Sequence, residues 1–104
     1  MNPRELDVLN ILWKTDAPMI STEIVNAGEG LTQSTVTAVL RKLLQANMVE
    51  VVGIAHSGKV LSRTYRPTKE SRELLMNHFL EQYMQFKDVI KPDEMCRLIK
   101  TSSK

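Results

Sequence analysis

The sequence predicts a mainly α fold with one small β-hairpin, its elements running α-α-α-β-β-α ahead of a last short helix. Three observations carry that prediction. Apolar residues recur at helical spacing before residue 47, most clearly Val36, Val39, Leu40 and Leu43 at i, i+3, i+4 and i+7. The period then shortens to two over Met48–Ile54 and Val60–Tyr65. Beyond Pro67-Thr68 an apolar-rich helical run extends from Lys69 to about Lys87.

The first helix begins at Asn2-Pro3-Arg4-Glu5, which supplies a capping residue, a proline at the first helical position and a glutamate at N3. Leu6, Leu9 and Trp13 share one face, Val8 and Leu12 widen it, and Asp16-Ala17-Pro18 ends the helix. Ser21-Thr22-Glu23 opens a short second helix to about Ala27, with Ile24 and Val25 inward, and Gly28 and Gly30 stop it. The third helix starts at Thr32, whose hydroxyl can cap the free amides of the first turn. It runs to about Ala46, with Asn47 as a left-handed terminal residue.

Ala55-His56-Ser57-Gly58-Lys59 is expected to join the two strands. Alternation in the second strand puts Leu61, Arg63 and Tyr65 on one face and Val60, Ser62, Thr64 and Arg66 on the other. The last helix opens at Pro92-Asp93-Glu94 and is expected to fray into Thr101-Ser102-Ser103-Lys104.

A chain of 104 residues is long enough for one modest core. The lone Cys96 excludes an intramolecular disulfide and no Cys/His cluster has metal-ligand spacing, so neither metal nor cofactor is expected. No apolar run approaches the ~18 residues of a membrane span, and the N-terminus lacks a signal-peptide pattern, so a cytoplasmic protein is expected. His56 and His78 have no carboxylate or thiol neighbour that suggests catalysis, and an enzyme is not expected.

Charge is informative only once it is divided along the chain. Residues 1–32 carry a net −3 and residues 67–104 a net +1. Between them, Arg41, Lys42, Lys59, Arg63 and Arg66 stand against Glu50 alone, a net +4. A segregated basic region of this kind suits a polyanionic partner.

On a helical wheel the side of the third helix opposite Val36 carries Ser34, Ala38, Arg41 and Gln45, flanked by Thr37, Thr35 and Lys42. Short hydroxyls allow close approach to base edges, the helix N-terminus favours phosphate, and Arg41 can reach a guanine edge. A short turn precedes this helix and a basic β-hairpin follows it, which together describe a winged helix-turn-helix. Thr32, Gln33, Ser34, Thr35, Thr37, Arg41 and Lys42, with His56, Lys59 and Arg63 on the hairpin, are the candidate contacts to double-stranded DNA. A protein-interaction module with the same fold is the alternative, and a small-molecule sensor a third reading.

The long helix is apolar on more than one side. Leu75, Phe79 and Phe86 form a stripe with Met76 and Tyr83 at its edge, while Leu74, Leu80 and Met84 lie on another face. Surplus apolar surface on a terminal helix points to self-association, so Leu75, Phe79, Tyr83 and Phe86 are the expected dimer contacts. On this reading residues 1–67 form the DNA-binding domain and residues 68–104 a helical dimerisation region of the same compact unit.

The motifs LDVLNILW (Leu6 to Trp13), STEIV (Ser21 to Val25), STVTAVLRKL (Ser34 to Leu43) and SRTYRPTKESRE (Ser62 to Glu73) resemble the penicillinase-repressor family. Its members are bacterial winged-helix repressors of β-lactamase, methicillin-resistance and copper-export genes. The resemblance spans about residues 5–75. It implies a homodimer that represses transcription from a palindromic operator, with an effector or a protease as a further partner. It also implies base or phosphate contacts by Ser34, Thr35 and Thr37. Lys42 stands where the family usually has arginine, and Thr37 where it often has a basic residue. The C-terminal region is shorter than is typical, and the cysteine-rich tail of the copper-responsive branch is absent, so copper sensing is not expected.

Overall fold

The computed structural model describes residues 2–102, which form two compact units, one ending at Glu73 and one beginning at Leu74. The first unit opens with α1 (Pro3–Lys14). Asn2 Oδ1 accepts the Glu5 N–H at 2.9 Å and Glu5 Oε2 accepts the Asn2 N–H at 3.2 Å, so the expected capping box is formed. Val8, Leu9 and Leu12 are buried, but Trp13 is 39% exposed. Its indole N–H nonetheless reaches a buried partner, donating to Ser71 Oγ at 3.0 Å.

α2 (Ser21–Ala27) begins with Glu23 Oε1 accepting the Ile20 N–H at 2.9 Å. Ile24 is buried and Val25 half-buried. At the end of α2, a Cβ on Gly28 would lie 2.2 Å from Leu31 Cδ1 and 2.8 Å from Leu31 Cγ, so the glycine leaves room for the Leu31 side chain to fold over this turn.

Thr32 caps α3 (Gln33–Gln45), its Oγ1 accepting the Thr35 N–H at 3.2 Å. The far end closes as a Schellman motif. Asn47 has φ 59°, its N–H donates to Leu44 O at 3.1 Å, and the Met48 N–H donates to Leu43 O at 2.8 Å.

The hairpin departs from expectation in two ways. Strands β1 (Val49–Ser57) and β2 (Val60–Pro67) pair antiparallel as far as Ser57 opposite Val60, so only Gly58 and Lys59 connect them. Gly58 has φ +65° at the first central position, the requirement of a two-residue II′ turn whose twist matches that of the strands. A tight turn therefore replaces the expected five-residue connection, and His56 becomes a strand residue opposite Leu61. A bulge at Val52, between the Val51–Tyr65 and Gly53–Thr64 pairs, bends β1. The second departure is a bridge that the sequence did not announce. Met19 and Tyr65 exchange both backbone hydrogen bonds, at 2.9 and 2.8 Å, tying the α1–α2 connection to β2.

All of the buried hydrophobic residues among those described fall between Val8 and Val49. They come from α1, α2, α3, the start of β1 and the adjoining Met19, Ile20, Leu31 and Met48. Each fully buried aliphatic side chain contributes about 1.5–3 kcal/mol.

α4 (Lys69–Met84) starts in the first unit and continues into the second, which also holds α5 (Pro92–Ser102). α4 ends at Met84, short of the expected Lys87, so Phe86 lies in a turn and not on the helical stripe. The Phe86 N–H donates to Tyr83 O at 2.8 Å, and the Ile90 N–H donates back to Phe86 O at 2.8 Å. The Tyr83 hydroxyl donates to Ile90 O, also at 2.8 Å, and fastens the turn. Thr101 and Ser102 are helical where fraying was expected; Ser103 and Lys104 lie outside the described residues. Among those described, no helix is long and apolar enough to cross a membrane.

Candidate nucleic-acid interface

The orientation of α3 follows from its own sequence. Val36, Val39, Leu40 and Leu43 are buried, which turns Thr32, Gln33, Ser34, Thr37, Ala38, Arg41, Lys42 and Gln45 to solvent, with Thr35 half-buried. The N-terminal hydroxyls hold one another in place. Thr32 Oγ1 donates to Thr35 Oγ1 at 2.9 Å and lies 3.3 Å from Ser34 Oγ. Gln33 Nε2 donates to Ser21 Oγ on α2 at 2.8 Å and reaches Thr37 Oγ1 at 3.5 Å. This network presents a pre-organised polar surface at the positive end of the helix dipole, and Arg41 and Lys42 extend it with full charges.

The distribution of ion pairs sharpens the electrostatics. Among the described residues the salt bridges are Arg4–Asp7, at 3.4 Å, and Arg66–Glu50. Glu50, the only acid of the basic middle segment, is thus engaged by Arg66 across the hairpin. Arg41, Lys42, Lys59 and Arg63 are exposed and in none of these pairs, so the +4 of that segment faces solvent as four open cations. Lys59 sits in the hairpin turn, while Arg63 opposite Ile54 and His56 opposite Leu61 share one face of the ladder.

Two features escaped the sequence reading. Ile54, Val60 and Leu61 are 68, 64 and 61% exposed, so the hairpin is apolar as well as basic. Their strand-like alternation was visible, but nothing in it distinguished a covered face from an open one. The start of α1 also borders the outer side of α3. Asn2, Pro3 and Arg4 line a hollow of about 440 Å³ together with Thr35, Ala38, Val39 and Lys42. Residues some thirty positions apart meet there, and no linear motif signals it.

The expected dimer residues lie apart from this surface in sequence. Leu75 and Tyr83 are half-buried, whereas Phe79 and Phe86 are 59 and 53% exposed.

The sequence profile described as penicillinase repressor matches residues 1–92. The chain belongs to the penicillinase repressor family. It is accordingly a DNA-binding transcriptional regulator, and the winged-helix fold read from the sequence is the one observed. Solved structures of low identity share that fold. A PadR-family transcriptional regulator from Eggerthella lenta is 19% identical with a TM-score of 0.61, over 86% of this chain and 87% of that one. The reduced form of the transcriptional regulator YodB from B. subtilis is 20% identical with a TM-score of 0.57, over 88% and 84%. Bacillus subtilis PadR in complex with operator DNA is 14% identical with a TM-score of 0.63, over 98% of this chain and 66% of that one. No curated protein matches the chain.

Proposed function

We propose that this penicillinase-repressor family member is a cytoplasmic homodimer that represses transcription by reading a palindromic operator with α3 and the hairpin. The observation that carries the reading is the solvent-facing side of α3, where an interlinked hydroxyl cluster runs into the unpaired Arg41 and Lys42. In the major groove Ser34 and Thr37 meet base edges, and Arg41 forms a bidentate contact to a guanine edge. Thr32, Gln33 and Thr35 position the helix N-terminus on phosphate. Lys42, His56, Lys59 and Arg63 hold the backbone beside it. The role is binding, not catalysis.

Dimer formation is supported by the second unit. No residue from Leu74 to Ser102 is buried, and Leu74, Met76, Phe79, Leu80 and Met84 are all exposed on or around α4. A helix pair with no interior requires a partner surface, and a second copy supplies the symmetry that a palindrome demands.

A second reading, a protein-interaction module, is favoured by one observation only, the exposed Ile54, Val60 and Leu61 of the hairpin. Selection from a random duplex library separates the two. A repressor enriches an inverted repeat with half-sites about one turn, ~34 Å, apart; an interaction module enriches nothing.

A further inference from the structure

The hollow of about 440 Å³ between the start of α1 and one flank of α3 lies wholly within the unit that ends at Glu73. Arg4 lines it from α1, and Thr35, Ala38 and Lys42 line it from α3. None of the residues lining it is acidic. Lys42 is exposed and in none of the salt bridges among the described residues. Thr35 Oγ1 accepts from Thr32 Oγ1 at 2.9 Å, which leaves its own hydrogen to donate. Two cations on different helices make this an anion-binding surface. The end of α1 itself is already engaged by the Asn2–Glu5 capping box.

Arg4 is held loosely. Its Nη1 is shared between Asp7 Oδ2 and Glu29 O, each at 3.4 Å, and the Arg4 and Asp7 side chains are 48 and 53% exposed. An exposed pair of this kind contributes little, whereas a guanidinium on a phosphate makes two parallel charge-assisted bonds. The place of the hollow on α3 decides which anion it meets. A helix with its side chains is about 10–12 Å across and the major groove about 12 Å wide, so a helix seated there has both flanks against the sugar-phosphate walls. Thr35 and Lys42 form one flank of α3, and Arg4 stands across the hollow from them.

We propose that Arg4 is a further contact to the DNA backbone, closing with Lys42 and Thr35 on a phosphate of the strand that walls the groove on that side. The proposal rests on the reading of α3 as the recognition helix. On binding, Arg4 exchanges Asp7 for phosphate, so Asp7 is a built-in competitor that restrains affinity. The contact positions the protein and carries no base information.

The test measures the affinity of the full chain over a series of salt concentrations, for a duplex that the wild type selects from a random library and for an unrelated duplex of the same length. Arg4→Ala is expected to weaken binding to both by about tenfold. It is also expected to flatten the plot of log affinity against log salt by about 0.9 for each bound copy, the mark of one lost phosphate contact. Arg4→Lys, which keeps the charge, is expected to keep the slope. Asp7→Asn is expected to tighten binding about twofold to threefold, and to lose that gain where Arg4 is already alanine. If Arg4→Ala leaves the slope unchanged while Arg41→Ala still weakens binding, the proposal is overturned and the operator reading stands. A gain from Asp7→Asn that survives in the Arg4→Ala background overturns the exchange of partners. A fall in the unfolding midpoint of Arg4→Ala with the slope unchanged would make Arg4 a support of the fold and overturn the proposal too. If the wild type selects no duplex at all, both readings fall together.

Discussion

The two units differ in how they are completed. In the first, apolar residues from Val8 to Val49 close over one another and leave the polar side of α3 outside. In the second, from Leu74 to Ser102, no residue is buried. Ordering each residue costs about 1–2 kcal/mol of backbone entropy, and without an interior the second unit has little to offset it. The first unit is a finished structure that exposes charge for a polyanion. The second exposes hydrocarbon, which a second copy of itself would cover.

The largest effect that separates the two belongs to the core of the first unit. Leu12→Ala, at a buried position of α1, is expected to cost about 2–5 kcal/mol in denaturant unfolding. A cost below about 1 kcal/mol would mean that the first unit is not self-sufficient.

Phe79→Glu places a charge on the exposed apolar side of α4. It is expected to weaken the dimer by about 2 kcal/mol, roughly thirtyfold, with the unfolding of the first unit retained. Sedimentation that shows the same oligomeric state for variant and wild type would remove α4 from the interface.

Much of this contrast was legible in the sequence, and the reason is locality. The capping box of α1, the Thr32 cap, the left-handed Asn47 and the four-residue core stripe of α3 are each decided within a few residues of chain. Where the outcome depended on distant partners, reading the sequence fell short. The turn at Gly58-Lys59 is two residues long because the strands zip on through His56 and Ser57, and register is a property of the pair. Met19 pairs with Tyr65 through a single bridge, which leaves no periodicity to detect. Phe86 keeps helical spacing from Phe79 and Tyr83, yet the helix stops at Met84 and the chain closes on Ile90 instead. The charge sum of the middle segment likewise could not say which basic residue meets its single acid; the ladder sets Arg66 beside Glu50.

Within the first unit, a charge on α3 and a charge on the hairpin should behave unequally. Arg41→Ala is expected to weaken operator binding by about 1–3 kcal/mol and leave the unfolding midpoint unchanged, since its side chain faces solvent. A comparable loss of thermal stability would mean that Arg41 supports the fold. The smallest effect belongs to Glu50→Ala. Its pair with Arg66 is exposed, so the stability change should stay below about 1 kcal/mol and shrink further with added salt. A larger cost, insensitive to salt, would show that the hairpin depends on that pair.

The open cations and hydroxyls beside α3 and on the hairpin are expected to meet phosphate. The most direct test is the salt dependence of affinity for the selected duplex, measured with the full chain. With roughly 4–8 phosphates engaged per dimer, log affinity is expected to fall against log salt with a slope of about −4 to −7. A nearly flat plot would mean that these groups do not engage the DNA backbone.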